Sequence, residues 1–556
     1  MKNTLLISML AFLSLSNIAN AQVPVFEKSF EVTNRAKRGF LESIEMNKEK
    51  GTIDLIYALP NAYTTDRERF LNIVTTNASG KAKYEVYSYD KDLNPLGTSR
   101  EEERMSRYRW KDYSYTTVEP TIKLSCLCLS FKQVQTTATY NWFSGYKKTN
   151  KVIDRVKAEN DDGGNYTFTG ISYDLYADKS ILTIAGKKVK KDPMKAFMLY
   201  DILRVDNDVN IQIADTLNFK YSNSIIYSAP LKDQKDETND ELARDWIIVF
   251  ASMKGTAAKA TDLTYVRISP KGKVLENFAF NSPSNAWHIE GSYEQNGAVY
   301  LYGSAITKDP AKKYYADIVN KGWDKLIYTN FQIGKISNGK LDFISSVSFD
   351  DLQAKQTKPA NQKKVLELDG KECNTSGIHV LNTGEILITY QDYEIKSGIN
   401  QQTEFYKKQN NVFLFQFDAS GNFKKNYGVE NDPDRNSMKA FSSSIWEIPA
   451  AHYFYPSADG KNLYWLIRSV KDADCIGNAD ANQNSVECKP MNGIAYGSIN
   501  LESGAMSEFK TFGEDSKKPF YLFSNTTAYS MDNYIYFFSE TEKGDKMLLT
   551  RIDVSK

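Results

Sequence analysis

The sequence of 556 residues carries 70 basic and 69 acidic side chains, which leaves a formal net charge of +1. A chain with this balance has no global field to recruit nucleic acid or an anionic membrane surface, so we expect neither as a partner. It also exceeds the size at which one simple core stops growing, roughly 250–300 residues, which predicts several domains or one repetitive assembly.

The chain begins with the features of an export signal at residues 1–21. The apolar run 5–15 is followed by Ala19 and Ala21, in the small-x-small pattern that a signal peptidase cuts, and it resembles the signal peptides of Gram-negative bacteria. The run is too short to span a bilayer, for which about 20 apolar residues are needed. We therefore expect a mature chain of residues 22–556 that is periplasmic or secreted and has no transmembrane segment.

One pattern recurs along the mature chain: an alternating apolar run, a turn rich in glycine or aspartate, and a second alternating run. Asn-Gly and Asp-Gly turns join antiparallel strands directly, so each instance predicts a β-hairpin. A second hairpin precedes most of them, with turns such as Asn296-Gly297 and Asp459-Gly460, which makes a unit of four strands. The recurring hairpins lie at 84–97, 197–213, 263–278, 328–343, 412–424, 493–507 and, truncated, 546–556.

These units predict an all-β fold, a single β-propeller of four-stranded blades arranged around one axis. The last unit has three strands, and the run 25–32 fits as its fourth, which would close the ring and remove an exposed edge. We count seven blades in this way. Eight is the alternative, because segment 101–165 is either an insertion or an extra blade, with strand-like runs at 113–119, 122–131, 140–146 and 152–158.

Two connections between units have features of their own. Residues 309–322 predict a short helical insertion, since Asp309 can cap it, Pro310 suits its first turn and Gly322 can end it. Residues 352–364 are rich in Lys, Gln and Pro, which predicts an exposed connection between two blades.

Segment 455–466 resembles the strand-turn-strand core of the PD40 and related WD40-like propeller repeats of exported bacterial proteins. The residues that carry the resemblance are Ser457, the turn Asp459-Gly460 and the strand start Leu463-Tyr464-Trp465. Segments 382–386 and 296–300 are looser versions of the same core. The resemblance implies the propeller fold and, by analogy, a binding role.

All five cysteines lie beyond residue 21. Cys475 and Cys488 enclose a short polar loop, so a local disulfide is expected between them in an oxidising compartment. Cys126 and Cys128 share one face of a strand, and either could pair with Cys373, which would leave one free thiol. The alternative is that all three are buried and reduced.

The three histidines are the candidates for metal binding or proton transfer. His288, His379 and His452 each precede or open the first strand of three successive units, the strand that lines the channel of a propeller. Imidazoles that converge at one mouth could hold a divalent metal ion. Their unequal distances from the next turn glycine favour three isolated structural histidines instead, so we expect no cofactor, with a divalent metal ion as the alternative.

The common catalytic motifs are absent from the sequence. We therefore predict a non-enzymatic scaffold that binds an envelope protein or glycan, in peripheral association with an outer-membrane complex. The alternative is an enzyme that cleaves polysaccharide or peptide in the central channel, with Glu290 and the histidines as acid and base. The candidate binding residues of the scaffold are aromatic side chains in or near loops: Trp110, Tyr113, Trp287, Tyr314 and Trp323.

Overall fold

The computed structural model describes most of the chain in seventeen stretches. The predicted signal peptide at 1–21 and the predicted helical insertion at 309–322 lie outside the described residues, so both stay predictions. The described residues are 25–59, 81–104, 113–123, 125, 128–141, 145–175, 178–187, 197–231, 244–252, 262–307, 326–397, 405–431, 447–476, 487–512, 520–522, 529–541 and 546–555.

The described chain is all-β, and its strands form antiparallel sheets that follow one another along the sequence. The first strand, β1 (Val25–Glu31), and a short 3-10 helix (Ala36–Arg38) precede sheet I. The first four sheets use strands that are consecutive in the chain. Sheet I comprises β2 (Phe40–Asn47), β3 (Thr52–Ala58), β4 (Lys81–Asp90) and β5 (Pro95–Arg104); sheet II comprises β6 (Tyr113–Lys123), β7 (Cys128–Asn141) and β8 (Gly145–Lys157); sheet III comprises β9 (Tyr166–Leu175), β10 (Ser180–Lys187), β11 (Leu199–Val205) and β12 (Ile211–Asn218); and sheet IV comprises β13 (Asn223–Pro230), β14 (Trp246–Ser252), β15 (Asp262–Ile268) and β16 (Val274–Asn281).

Four more sheets follow in the second half of the chain. Sheets VII and VIII are joined into one hydrogen-bonded network by a single register pair, Asn492 opposite Leu522. Sheet V comprises β17 (Ala286–Trp287), β18 (Gly291–Gln295), β19 (Ala298–Ile306), β20 (Asn330–Ser337) and β21 (Lys340–Ser348), and helix α1 (Phe349–Ala354) follows it; sheet VI comprises β22 (Gln356–Thr357), β23 (Cys373–Val380), β24 (Ile386–Ser397), β25 (Phe405–Phe417) and β26 (Phe423–Val429); sheet VII comprises β27 (Ala451–Pro456), β28 (Asn462–Ile476), β29 (Glu487–Asn500) and β30 (Lys510–Thr511); and sheet VIII comprises β31 (Phe520–Leu522), β32 (Tyr529–Met531), β33 (Tyr534–Thr541) and β34 (Lys546–Asp553), together with β1.

The hairpin turns predicted from Gly, Asn and Asp are confirmed. These residues adopt left-handed backbone angles that a tight turn between antiparallel strands requires. The pairs β18–β19 and β27–β28 show this at Asn296-Gly297 and Gly460. Further predicted turns with a positive φ contain Lys179, Gly384 and Asp532.

The strand predicted at 25–32 is confirmed as β1. It pairs antiparallel with β34, with Val25 opposite Ile552 and Glu31 opposite Lys546. Because β33 occupies the other side of β34, the first strand of the described chain completes the last sheet. This arrangement covers an edge that would otherwise present unpaired backbone groups.

Segment 101–165 contributes a sheet of its own, but the four predicted runs in it give only three strands. Two of the runs, 122–131 and 140–146, span the turns between β6, β7 and β8 instead of lying in one strand each. β7 is the central strand and pairs with both neighbours over more than ten residues.

From sheet II to sheet VIII, each sheet packs on the next one through a shared apolar core, and sheet VIII packs in the same way on sheet I. In one such core, Phe331 of sheet V contacts the rings of Tyr390 and Phe415 of sheet VI, with ring centroids 5.8 and 5.3 Å apart. Burial of both faces explains why strands such as β14 are apolar throughout. Shared cores join sheets II and III, III and IV, IV and V, V and VI, VI and VII, VII and VIII, and VIII and I.

Three of these sheets share a turn that our reading of the sequence missed. It has the form Asp-x-x-x-Asn and precedes the last strand of each sheet, at Asp90, Asp206 and Asp418. One carboxylate oxygen accepts the backbone N–H groups two and four residues ahead at 2.8–2.9 Å, and the other accepts the Asn side-chain amide. The repeat of Asp and Asn four residues apart is the signal that could have revealed it.

The longest α-helix among the described residues is α1, and none of the described helices has the length and apolar character that crossing a membrane would need.

Candidate functional site

The connection after sheet V forms one wall of a pocket. Ser348 caps α1, because its Oγ accepts the backbone N–H of Asp351 at 3.0 Å and donates to the Asp351 carboxylate at 2.6 Å. Leu352 of the helix is fully buried in the core shared by sheets V and VI. The predicted connection at 352–364 does join two sheets, but it is exposed only in part, since Leu352, Pro359 and Gln362 are buried. The capping residues Ser348 and Asp351 were the available sequence signal for the helix.

Two glutamines attach the next stretch of chain to this wall. The Oε1 atoms of Gln353 and Gln356 accept the backbone N–H groups of Leu368 and Leu366, each at 2.7 Å. Both leucine side chains are buried. Because side chains of an extended chain alternate, the intervening Glu367 is exposed on the opposite side.

Helix α1, this stretch, β24 and β25 line an open cavity of about 920 Å³, which we call the acidic pocket. A cavity of this volume is in the range of small-molecule binding sites. Its lining contains six carboxylates and one cationic side chain, Lys364. The carboxylates belong to Asp350, Glu367, Asp369, Asp392, Glu394 and Glu430.

Asp392 of β24 lies opposite a bulge of β25. The register shifts between Gln391 and Tyr393, so that Asp392 lies across from two residues of β25, Asn410 and Asn411. The Asn411 amide donates to Asp392 Oδ2 at 3.0 Å. Asp392 Oδ1 is buried and has no hydrogen-bond partner among the described residues.

Burial of Asp392 raises its pKa to about 6, since the charged form loses hydration there. The hydrogen bonds from Asn411 oppose this shift, and the negative charge of Glu394 adds to it. The Asp392 carboxyl therefore keeps its proton to a higher pH than an ordinary aspartate, in a pocket whose other charges are mostly negative.

Two other carboxylates of the pocket already have partners. Glu394 contacts the Lys396 ammonium and accepts the Asn410 amide at 3.2 Å. Asp369 lies 2.5 Å from Lys371 Nζ; although partial burial opposes the shift, hydrogen bonds from Lys371 lower the pKa of this carboxyl. The negative charge of the pocket is thus only partly neutralised by these lysines.

The predicted histidines do not come together as one group of three. His379 and His452 both lie against Phe454, with ring centroids 5.5 and 6.4 Å apart. His288 instead contacts Tyr328, with 2.8 Å between its Nδ1 and the Tyr328 hydroxyl. No group of three or more His, Cys, Asp or Glu side chains that could hold a metal ion occurs in the part of the chain that the structure describes.

His452 is held in its neutral form. Trp465 Nε1 donates to His452 Nδ1 at 3.1 Å, which leaves the proton on Nε2, 3.4 Å from the Ser376 hydroxyl. Burial lowers the pKa of His452 to about 3 and also lowers the pKa of His379. Both imidazoles pack as uncharged rings between sheets VI and VII.

Glu290, the candidate acid or base of the sequence, serves as a bridge between two sheets. Its carboxylate accepts the backbone N–H of Ser304 in sheet V at 3.0 Å and that of Thr375 in sheet VI at 2.5 Å. Neither contact involves a histidine. In these contacts of the described chain, Glu290 is therefore held by backbone donors and not paired with a histidine as the alternative of a cleaving enzyme required.

Of the predicted aromatic binding residues, Trp287 is described in full. It is completely buried in the core between sheets IV and V, so it has no surface for a ligand and packs there instead. Tyr113 begins β6 opposite Ala138, and its side chain is outside the described part. Trp110, Tyr314 and Trp323 also lie outside the described residues.

The cysteines separate into three cases. Cys475 and Cys488 are opposite one another in the register of β28 and β29, in agreement with the predicted pairing, although their side chains lie outside the described part. Cys128 is disulfide-bonded. Cys373 is a free, buried thiol 2.9 Å from the Tyr390 hydroxyl, so its predicted pairing with Cys126 or Cys128 is wrong.

No family model matches the chain. No curated protein matches it either. Similar solved structures include the Pseudomonas brassicacearum lignostilbene dioxygenase, with a TM-score of 0.28, 11% identity and coverage of 96% of this chain and 92% of that one. A variant of the Synechocystis apocarotenoid oxygenase has a TM-score of 0.27 and 10% identity over 81% and 91%. The polysaccharide lyase Uly1 has a TM-score of 0.25 and 9% identity over 97% and 98%.

These neighbours are enzymes, the first of them oxygenases, and this finding contradicts the prediction of a non-enzymatic scaffold that binds protein or glycan. The WD40-like description of the repeats gains no support from them. TM-scores of 0.25–0.28 carry no substrate or mechanism over to this chain.

Proposed function

We propose that sheets I to VIII are the blades of one ring, an eight-bladed β-propeller. The support is the series of shared cores from sheet II to sheet VIII, which continues from sheet VIII to sheet I. The Tyr536 hydroxyl of sheet VIII also donates to the Lys91 carbonyl of sheet I at 2.8 Å. Contact between sheets I and II would complete the ring, and β1 then closes its last blade.

We propose further that the acidic pocket is the active site of an enzyme whose substrate is a positively charged, amine-bearing small molecule. In this proposal the outer carboxylates bind the cationic group, and Asp392 at the bulge acts as general base. One observation carries the proposal: a buried carboxylate oxygen without a hydrogen-bond partner among the described residues, in a cavity of molecular size.

The charge of the pocket supports a cation as its ligand. Asp350, Glu367 and Glu430 are exposed on its lining, and Lys364 is the one cationic residue of that lining. A concave surface with one sign of charge concentrates counter-ions and raises their rate of association. A bound cation would also stabilise the ionised form of Asp392, whose burial otherwise disfavours that form.

The position of Asp392 supports its role as a base. Its Oδ2 is fixed by Asn411, so Oδ1 remains to accept a proton or a hydrogen bond from the substrate. A pKa of about 6 gives a base that is mainly ionised at pH 7 and still able to hold a proton. Proton transfer to Oδ1 would convert the carboxylate to the neutral acid, which the buried site favours.

The test is isothermal titration calorimetry of the full chain with cadaverine, a linear diamine, and with 1,5-pentanediol as its uncharged counterpart. We expect cadaverine to bind, the diol not to bind, and Asp392→Asn to weaken cadaverine binding about tenfold, which is about 1.4 kcal/mol. Glu502→Gln, an exposed carboxylate in a turn of sheet VII, is the matched control and leaves binding unchanged. Equal binding of diamine and diol, or unchanged affinity in Asp392→Asn, would refute the proposal.

A further inference from the structure

The outer edge of sheet II differs from the outer edges of its neighbours. Sheets I, III and IV each have four consecutive strands, whereas sheet II ends after the third, β8. β8 pairs with β7 on one side and with no strand of the described chain on the other. Such an edge presents a row of backbone N–H and C=O groups that can pair with an added strand.

β8 is exposed on both of its faces. Residues 147–155 are all exposed, and they include the apolar Val152 and Ile153, which are 40% and 48% exposed. The fourth strands of the next two sheets, β12 and β16, instead alternate between exposed residues and residues that are partly or fully buried, whereas β5 of sheet I is exposed at 95–101. β8 therefore has apolar surface on which the side chains of another strand could pack.

The molecule already contains one sheet that is completed by a distant strand. Sheet VIII receives β1, which lies more than five hundred residues away in the sequence, as the neighbour of β34. The open side of β8 is the equivalent place in sheet II. A strand added there would bring sheet II to the four strands of the sheets around it.

The charge of β8 determines which strand could pair with it. Lys147, Lys148, Lys151 and Arg155 are exposed along the strand, and Asp154 is the single acidic residue among them. If β8 of a second copy paired antiparallel with this strand about Lys151, the two copies of Lys151 would face each other and Lys147 would face Arg155. These like charges would repel one another. An acidic strand would instead place opposite charges across from one another, at roughly 0.2–1 kcal/mol for each pair.

We infer that β8 is a docking edge for an extended acidic segment of a partner protein, which binds as the fourth strand of sheet II. Backbone hydrogen bonds to the open edge provide the affinity. The lysines and the arginine select for Glu or Asp in the partner, and Val152 and Ile153 favour β-branched residues between them. This inference is independent of the acidic pocket, which lies at sheet VI.

The experiment uses the full chain and a fluorescein-labelled peptide of alternating Glu and Val, about nine residues long to match the exposed stretch 147–155. Fluorescence anisotropy is expected to show binding with a Kd in the micromolar range. The double variant Lys151→Glu with Arg155→Glu should weaken binding at least about tenfold. The matched control combines Lys271→Glu, in a turn of sheet IV, with Lys340→Glu, at the start of β21, and should leave binding unchanged.

A second peptide separates strand pairing from simple charge attraction. N-methylation of alternate residues removes backbone donors without changing the charge, so we expect this peptide to bind at least about tenfold more weakly. Equal affinity of the two peptides, equal losses in the two double variants, or no binding up to roughly 1 mM would each overturn the inference. Thermal unfolding of both variants verifies that they are folded.

Discussion

Acid is expected to destabilise this protein through His452. The pKa of this imidazole is lowered from 6.5 to about 3 in the fold, because burial beside Phe454 and Trp465 disfavours the charged form. Between these two values the unfolded state binds one proton more than the folded state. The stabilising contribution of the neutral ring is therefore complete above pH 6.5 and is lost as the pH falls towards 3.

The size of this effect follows from the linkage relation, which gives about 1.4 kcal/mol for each pH unit per proton. From pH 6.5 to pH 4 the loss is at most about 3.4 kcal/mol, and the partial exposure of His452 reduces it to about 2–3 kcal/mol. The assay is urea unfolding at both pH values, followed by tryptophan fluorescence. His452→Gln removes this titrating group. Between pH 6.5 and pH 4, the free energy of unfolding of the variant should therefore fall by about 2–3 kcal/mol less than that of wild type. Identical pH dependence in the two proteins would refute the reasoning.

Three further substitutions test the packing of the sheets and the hydrogen bonds between them. Gly421→Ala should lower the free energy of unfolding by more than about 2 kcal/mol, since a Cβ there would collide with the Phe343 ring, whereas Gly460→Ala has open space and should cost only about 1 kcal/mol for its positive φ. Glu290→Ala should lower the free energy of unfolding by about 2–5 kcal/mol, because two backbone N–H groups lose their acceptor. Chemical denaturation measures the stability of all three variants. A Glu290→Ala protein as stable as wild type would contradict the bridging role.

Local features of the sequence predicted the strands and turns well. Alternation of side chains and the backbone preferences of Gly and Asn act over a few residues, so Asn296-Gly297 could be recognised without knowing the rest of the fold. The strand at 25–32 was also predicted, because a missing fourth strand and an unassigned run fit together. The burial within 352–364 was missed because the prediction relied on the Lys and Gln content of that stretch and did not use the helix cap at Ser348.

The acidic pocket could not be predicted in the same way. Its carboxylates come from α1, from the stretch after it, from β24 and from the end of β26, so no short motif contains them. The site of Asp392 depends on a bulge of β25, and the sequence does not indicate where the register shifts. The histidines show the opposite case, since their places at the first strands of three successive units suggested a cluster, whereas their unequal distances from the turn glycines favoured isolated residues. In the described part of the chain the three do not form one group, because His379 and His452 lie against Phe454 and His288 contacts Tyr328.

Asp392 should have the opposite effect on stability to His452, which distinguishes a functional carboxylate from a structural one. Its pKa is raised from 3.8 to about 6, so its stabilising contribution is complete below pH 3.8 and is lost as the pH rises through 6. Asp392→Asn, which keeps an acceptor for Asn411, should therefore be more stable than wild type at pH 8, by about 1–3 kcal/mol, and equally stable at pH 4. Urea unfolding at both pH values measures the difference. If Asp392→Asn is less stable than wild type at pH 8, the ionised carboxylate supports the fold and the reasoning is wrong. If Asp392→Asn is more stable than wild type at pH 8 and no longer binds the diamine, Asp392 is retained for its chemistry and not for stability.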